Sequence, residues 1–261
     1  MELAADARVN RPPDALDLVH ITSVGWGRRI VDAAKIEARR CDVFGRELVY
    51  AFMARPAYRF QDGDVKSDQI SRFPFVFVIS PEKLGDPFHI YPFDTGAAAA
   101  GRYGDAAQPT VYLDDYELEP RIASAMQHIA WAFGTNSGYF QGVLKAGLAD
   151  TLPYWRSVGR GWIDIAGLAA IGADRPDARA AAIEVAYSSA VDLRQGHVRL
   201  AIFPQQLIED ERGNNAEFIA ELEKLGLAIK TYDWRPNETP DSFMDEVTRI
   251  VRRHLEDTGQ L

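Results

Sequence analysis

The chain has one cysteine, Cys41, in 261 residues. A disulfide framework within the chain is excluded, and so is a zinc site built on several thiolates. Histidine is scarce too. His20, His89, His128, His197 and His254 include no pair four apart and no H-E-x-x-H pattern, so a helical zinc protease has no support. No run approaches the ~18 apolar residues of a membrane span. The opening MELAADARVNRPPDALDL carries acidic residues and no apolar stretch, unlike a secretory signal. Phosphate-loop, Rossmann and G-x-S-x-G patterns are missing, and Val158-Gly159-Arg160-Gly161 is too bare to stand for one. Positive charge is in deficit, giving a net charge of −9, which argues against a protein that simply coats nucleic acid. Together these absences predict a reduced, cytoplasmic protein with no membrane contact.

What is present is an ordinary globular composition, 47% apolar and 26% charged. A chain of this length buries roughly three quarters of the surface it exposes when unfolded, so its core needs no covalent staples. The charge is uneven. Residues 20–60 hold eight basic and four acidic side chains, whereas 205–261 hold seven basic and thirteen acidic. A basic N-terminal region suits a phosphate-bearing ligand. A solvated charged face explains it equally.

Residues 1–15 are polar, contain Pro12-Pro13 and predict a loose arm. The rest, 16–261, has no repeat and no linker and reads as one domain. Strands are predicted at Leu18 to Ile21, Leu48 to Met53, Phe73 to Ser80, Ala182 to Tyr187, Val198 to Phe203 and Leu227 to Tyr232. The segment FPFVFVIS is apolar at nearly every position, as in a strand buried on both faces. Helices are predicted at Val24 to Ala34, Pro120 to Phe133, around Ile163 to Ala170, at Glu217 to Leu225 before Gly226, and from Thr239-Pro240 to Leu255. Gly25 and Gly27 weaken the first of these. Residues 61–71 read as a loop, and 81–118 as a long irregular insert of the kind that is often functional. The fold class is mixed α/β, of the α+β type.

Asp94-Thr95-Gly96-Ala97 matches the D-T-G-A of aspartic proteases. That chemistry needs two carboxylates sharing a proton, and the chain holds no second copy, so a turn closed by side-chain to backbone bonds is the better reading.

Three polar residues sit inside apolar strands: His20 in L-V-H-I-T-S, Tyr50 in L-V-Y-A-F and Glu184 in A-I-E-V-A-Y. A polar group buried there needs a partner or a task. Taken singly, His20 and Tyr50 read first as satisfied core residues, and Glu184 equally as the solvent side of its strand. In order, L-V-H-I-T-S, a helix, L-V-Y-A-F-M-A-R-P-A-Y-R and a late I-E-V strand resemble the DarT-like ADP-ribosyltransferases, NAD-using toxins of the PARP-like branch that modify nucleic acid. The resemblance covers about 18–60 and 174–204.

It implies a split mixed sheet with flanking helices and long irregular loops. It further implies NAD as substrate, no metal, DNA or RNA as acceptor, and a role as toxin or defence effector. His20 and Thr22 would bind the nicotinamide ribose and amide end of NAD, with Tyr50 and Tyr58 lining the same pocket and Tyr50 against the nicotinamide. Arg55 would contact phosphate or the reacting base, Glu184 would be the catalytic carboxylate, and Gly172 to Ala182 the target-recognition loop. Two positions depart from the family pattern. Ala182 stands where many such transferases carry Gln or Glu, and Ser23-Val24-Gly25-Trp26 follows the H-x-T.

The residue types suit the chemistry, since cleaving the nicotinamide–ribose bond develops oxocarbenium character that a fixed carboxylate stabilises. Plain NAD hydrolysis, RNA 2′-phosphotransfer and an inactive nucleotide- or partner-binding module are the alternatives. In the last, the acidic C-terminal helices would dock an antitoxin or partner subunit. Tyr103, Tyr112, Tyr116, Tyr139, Phe140, Tyr154 and Trp155 would serve recognition or the core.

Overall fold

The computed structural model describes residues 2–6, 13–106, 111–170, 177–210 and 213–261. Its main sheet has eight strands: β1 (Leu18–Ser23), β2 (Arg39–Cys41), β3 (Arg46–Met53), β4 (Pro74–Ile79), β5 (His89–Tyr91), β6 (Glu184–Tyr187), β7 (Val198–Pro204) and β8 (Ala228–Tyr232). Their order is β8-β7-β4-β1-β3-β6-β5, with β2 joined to β3. Only the β7–β8 pair is parallel; the others are antiparallel. The fold is thus mixed α+β, a mixed sheet flanked by helices.

The centre of the sheet follows from its apolar content. All six residues of β4 are buried, because β4 lies between β1 and β7 and is covered on both faces. The helices, in chain order, are α1 (Glu2–Asp6), α2 (Val24–Ala33), α3 (Thr95–Ala99), α4 (Ile122–Ala132), α5 (Asn136–Gln141), α6 (Ser157–Gly167), α7 (Ala216–Leu225) and α8 (Met244–Asp257). Side-chain caps start several of them: Asn215 accepts from the Phe218 backbone N–H at α7 and Thr135 from that of Gly138 at α5. Gly226 in the left-handed region ends α7. The last helix buries Val247, Val251 and Leu255 along one stripe.

Gly27 has a positive reason to be glycine. A Cβ there would lie 2.2 Å from the Phe75 ring, so α2 packs onto β4 at a distance no other residue permits. This fixes the entry of α2 beside β1, which matters for the site below.

The structure departs from expectation in four places. The loose arm is in part docked: residues 2–6 form α1, Leu3 is fully buried, and Asp6 pairs with Arg156 at 3.4 Å. Residues 7–12 lie outside the described residues. The helix expected around Ile163 to Ala170 starts earlier, at Ser157. The last α-helix starts at Met244, after a 3-10 turn over Pro240–Phe243. The irregular insert contains β5 and α3. A strand of three residues between Pro87 and Pro92 is too short to show a period of two.

Candidate functional site

β1 and β3 pair only at their inner ends, Leu18 with Met53 and Val19 with Phe52. From His20 onward β1 is paired with β4 alone, while β3 keeps its pairing with β6 from Val49 to Phe52. The sheet parts there, and a cleft of about 530 Å³ opens between the two strands. That volume lies within the range of small-molecule sites. His20 and Thr22 line one wall, with Tyr50, Phe52 and Tyr58 among the others; Trp26, Arg29, Lys35, Arg39 and Arg40 add a basic and aromatic mouth. Four of the eight basic residues of the 20–60 segment therefore border this cleft.

His20 bridges the split. Its Nδ1 lies 2.7 Å from the Tyr50 carbonyl oxygen, which can only accept. Nδ1 therefore carries the proton, and Nε2 is the acceptor of the neutral ring. Burial holds its pKa below the ordinary histidine range. The Tyr50 hydroxyl donates to Cys41 Sγ at 2.9 Å. Burial first and this contact second push its pKa up. Tyr58 is exposed at the cleft and packs edge-on against Phe60.

Glu184 opens β6. The register sets it opposite Phe52 on one side and Tyr91 on the other, so the three share a face. It does not face solvent: only 4% of it is exposed, which overturns the reading of Glu184 as the wet side of a strand. Its Oε1 accepts from Thr95 Oγ1 at 2.7 Å and its Oε2 from the Thr95 backbone N–H at 3.2 Å. His89 Nε2 stands 3.6 Å from Oε1. Burial pushes the Glu184 pKa up, against the pull of His89 and Thr95. His89 itself is ringed by Phe44, Phe88, Tyr91 and Tyr50, with centroids 4.3 to 5.8 Å away.

Asp94 behaves as the turn reading expects: its Oδ1 accepts from the Ala97 backbone N–H at 2.8 Å and caps α3. Thr95 turns to Glu184 instead. The D-T-G-A segment is therefore the cradle of the buried carboxylate.

The structure brings His20, Thr22, Tyr50 and Tyr58 together around one cleft. It leaves two predicted residues outside the lining. Glu184 lies one strand beyond, behind Phe52. Arg55 is buried, donates from Nη1 to the Ala181 carbonyl at 2.6 Å and lies 5.7 Å from the Tyr139 ring centroid. That makes Arg55 a tie between the turn after β3 and the segment entering β6. Burial lowers its pKa. Of the expected recognition loop, residues 172–176 lie outside the described residues. The remainder forms a 3-10 turn, Ala178–Ala181, in which Arg179 grips Asp177 through two hydrogen bonds of 3.0 and 2.8 Å.

The residues missed from sequence are His89, Thr95, Trp26 and Arg39. A histidine inside the apolar run P-F-H-I-Y-P-F was the available signal for the first. No group of three or more His, Cys, Asp or Glu among the described residues could hold a metal ion. No helix among them is long and apolar enough to cross a membrane. Neither family models, curated proteins nor solved structures give a match to this chain.

Proposed function

We propose that the chain is a NAD-dependent ADP-ribosyltransferase acting on nucleic acid. One observation carries the proposal: β1 and β3 part to form a dinucleotide-sized cleft with His20 and Thr22 on one wall and Tyr50 and Tyr58 among the others, while Glu184 sits on the next strand of the same sheet. NAD would lie along the cleft. Neutral His20 offers Nε2 as an acceptor for a ribose hydroxyl, Tyr50 and Tyr58 offer aromatic faces to the nicotinamide, and the arginines of the mouth suit the diphosphate. Nicotinamide leaves with the electrons of its bond to ribose C1′. The acceptor adds at C1′, and its proton goes to a base. Glu184 serves as that base and as the counter-charge to the oxocarbenium ion. This requires the ribose to reach past Phe52. Arg55 acts through Ala181 as a positioning residue for β6. A cytoplasmic role as toxin or defence effector, restrained by a partner on the acidic helices α7 and α8, belongs to the same proposal.

A second reading, a nucleotide-binding module without turnover, is favoured by the state of Glu184. Its carboxylate is buried and held by Thr95. The deciding experiment measures nicotinamide release from NAD by the purified chain, with and without DNA or RNA, beside Glu184→Gln. Release that depends on nucleic acid and on Glu184 supports the transferase. Release with neither acceptor, still dependent on Glu184, means hydrolysis or self-modification. NAD binding without release means the binding module.

A further inference from the structure

Trp26 stands in the first turn of α2 at the mouth of the cleft, with 43% of its surface exposed. Arg39 reaches it from β2, with its guanidinium carbon 3.7 Å from the indole centroid; Arg29, one turn along α2, lies at 4.9 Å. A planar group 3.7 Å from a ring occupies the slot of a stacked base. None of the ion pairs among the described residues involves Arg29 or Arg39. Among the described residues Arg39 is thus a cation without a carboxylate partner, exposed on a long side chain and lying against the indole. The indole also borders a second cavity of about 330 Å³, which shares Thr22, Trp26, Arg39 and Tyr58 with the cleft and adds Gln61, Ser71 and Arg72. Beside the indole there is therefore polar room with a further cation. Phe52, and Glu184 behind it, lie at the other end, where β1 and β3 still pair.

We propose that Trp26 is the stacking platform for the purine ring of an adenine nucleotide, and that Arg39 leaves the indole for the nucleotide's phosphate when the ring arrives. A ligand would then lie with its purine outward at Trp26 and its reacting end inward at Phe52 and Glu184. This rests on the reading of the cleft as a NAD site and adds the direction in which NAD lies. Nothing covalent changes. The purine replaces one planar group over the indole, and the guanidinium exchanges a ring face for a phosphate oxygen.

The test is calorimetric binding of NAD, AMP and nicotinamide mononucleotide to the intact chain and to Trp26→Phe and Trp26→Ala. A single-stranded oligonucleotide provides a fourth arm. Trp26 is half exposed, so the variants fold; circular dichroism checks this. Trp26→Ala should weaken NAD and AMP by about ten- to a hundredfold and leave nicotinamide mononucleotide unchanged, with Trp26→Phe retaining most of the affinity. NAD binding that is equal in Trp26→Ala and the wild type overturns this inference alone. So does equal weakening of both mononucleotides. Loss confined to the oligonucleotide also overturns it and makes Trp26 a contact for the acceptor strand. If the folded wild type binds none of the three nucleotides, the NAD reading itself fails and takes this inference with it.

Discussion

The cleft and the Glu184 cradle lie side by side in one sheet, yet they treat charge in opposite ways. In the cleft, Arg29 and Arg39 keep their contact with water and have no carboxylate partner among the described residues. Behind Phe52, Glu184 has lost nearly all contact with water and is held by Thr95, with His89 close by. Exposed cations cost little and can follow a ligand. A buried carboxylate is costly unless its oxygens are bonded, and once bonded it cannot wander. The molecule thus sets exposed cations at the cleft mouth beside a carboxyl group fixed within the sheet.

The largest expected effect breaks the fixed end. Glu184→Gln should lower nicotinamide release by on the order of 10²–10³, while NAD still binds with its wild-type affinity. Full activity in the variant would show that the carboxylate is elsewhere. Next comes Thr95→Val, which removes the hydroxyl donor to a buried carboxylate and should cost about 1.5–3 kcal/mol of stability in urea titration. An unchanged midpoint would mean that Glu184 does not depend on its cradle.

A third test uses a buried group with no charge beside it. His128 is packed among Trp131, Phe133 and Trp162, and neither ring nitrogen has a hydrogen-bond partner among the described residues. Burial pushes its pKa down to about 3, against 6.5 for the free side chain. It is neutral in the fold and charges on unfolding. Its contribution is therefore complete above pH 6.5 and is lost as pH falls toward 3, by up to about 1.4 kcal/mol per pH unit. Urea midpoints at pH 7.5 and 5.5 should show that slope. His128→Leu should flatten it in part, because His20 titrates in the same sense. An equally steep slope in the variant would assign the effect to other groups. The smallest effect is that of Arg29→Gln, which should move stability by no more than about 0.5 kcal/mol. It should nonetheless reduce the salt dependence of NAD binding, and an unchanged slope would mean that Arg29 does not meet the ligand's phosphates.

How much was legible in the sequence follows the length of each signal. β3, β4, β7 and α4 carry apolar patterns of six or more residues, β1 a shorter one of four, and all five are placed to within a few residues. β5 and α3, of three and five residues, carry too little pattern. Glu184 was ambiguous for another reason. In I-E-V-A-Y the alternation fits either a wet face or a second buried one, and what decides is Thr95, 89 residues away in the chain. The cleft walls were legible because His20 and Tyr50 interrupt apolar runs. Arg55 misled because a strand-end arginine looks the same whether it meets a ligand or a backbone carbonyl. The aromatic residues divide: Tyr103, Tyr116 and Tyr139 are core, whereas Tyr112, Tyr154 and Trp155 are exposed.

The parting of β1 from β3 has a further consequence. It creates two strand edges within the body of one sheet, and a strand edge invites pairing with other chains. Here the danger is contained. The two edges face each other across the cleft, and the imidazole of His20 spans it to occupy the carbonyl of Tyr50. A side chain thus does at this edge what a neighbouring strand does elsewhere in the sheet.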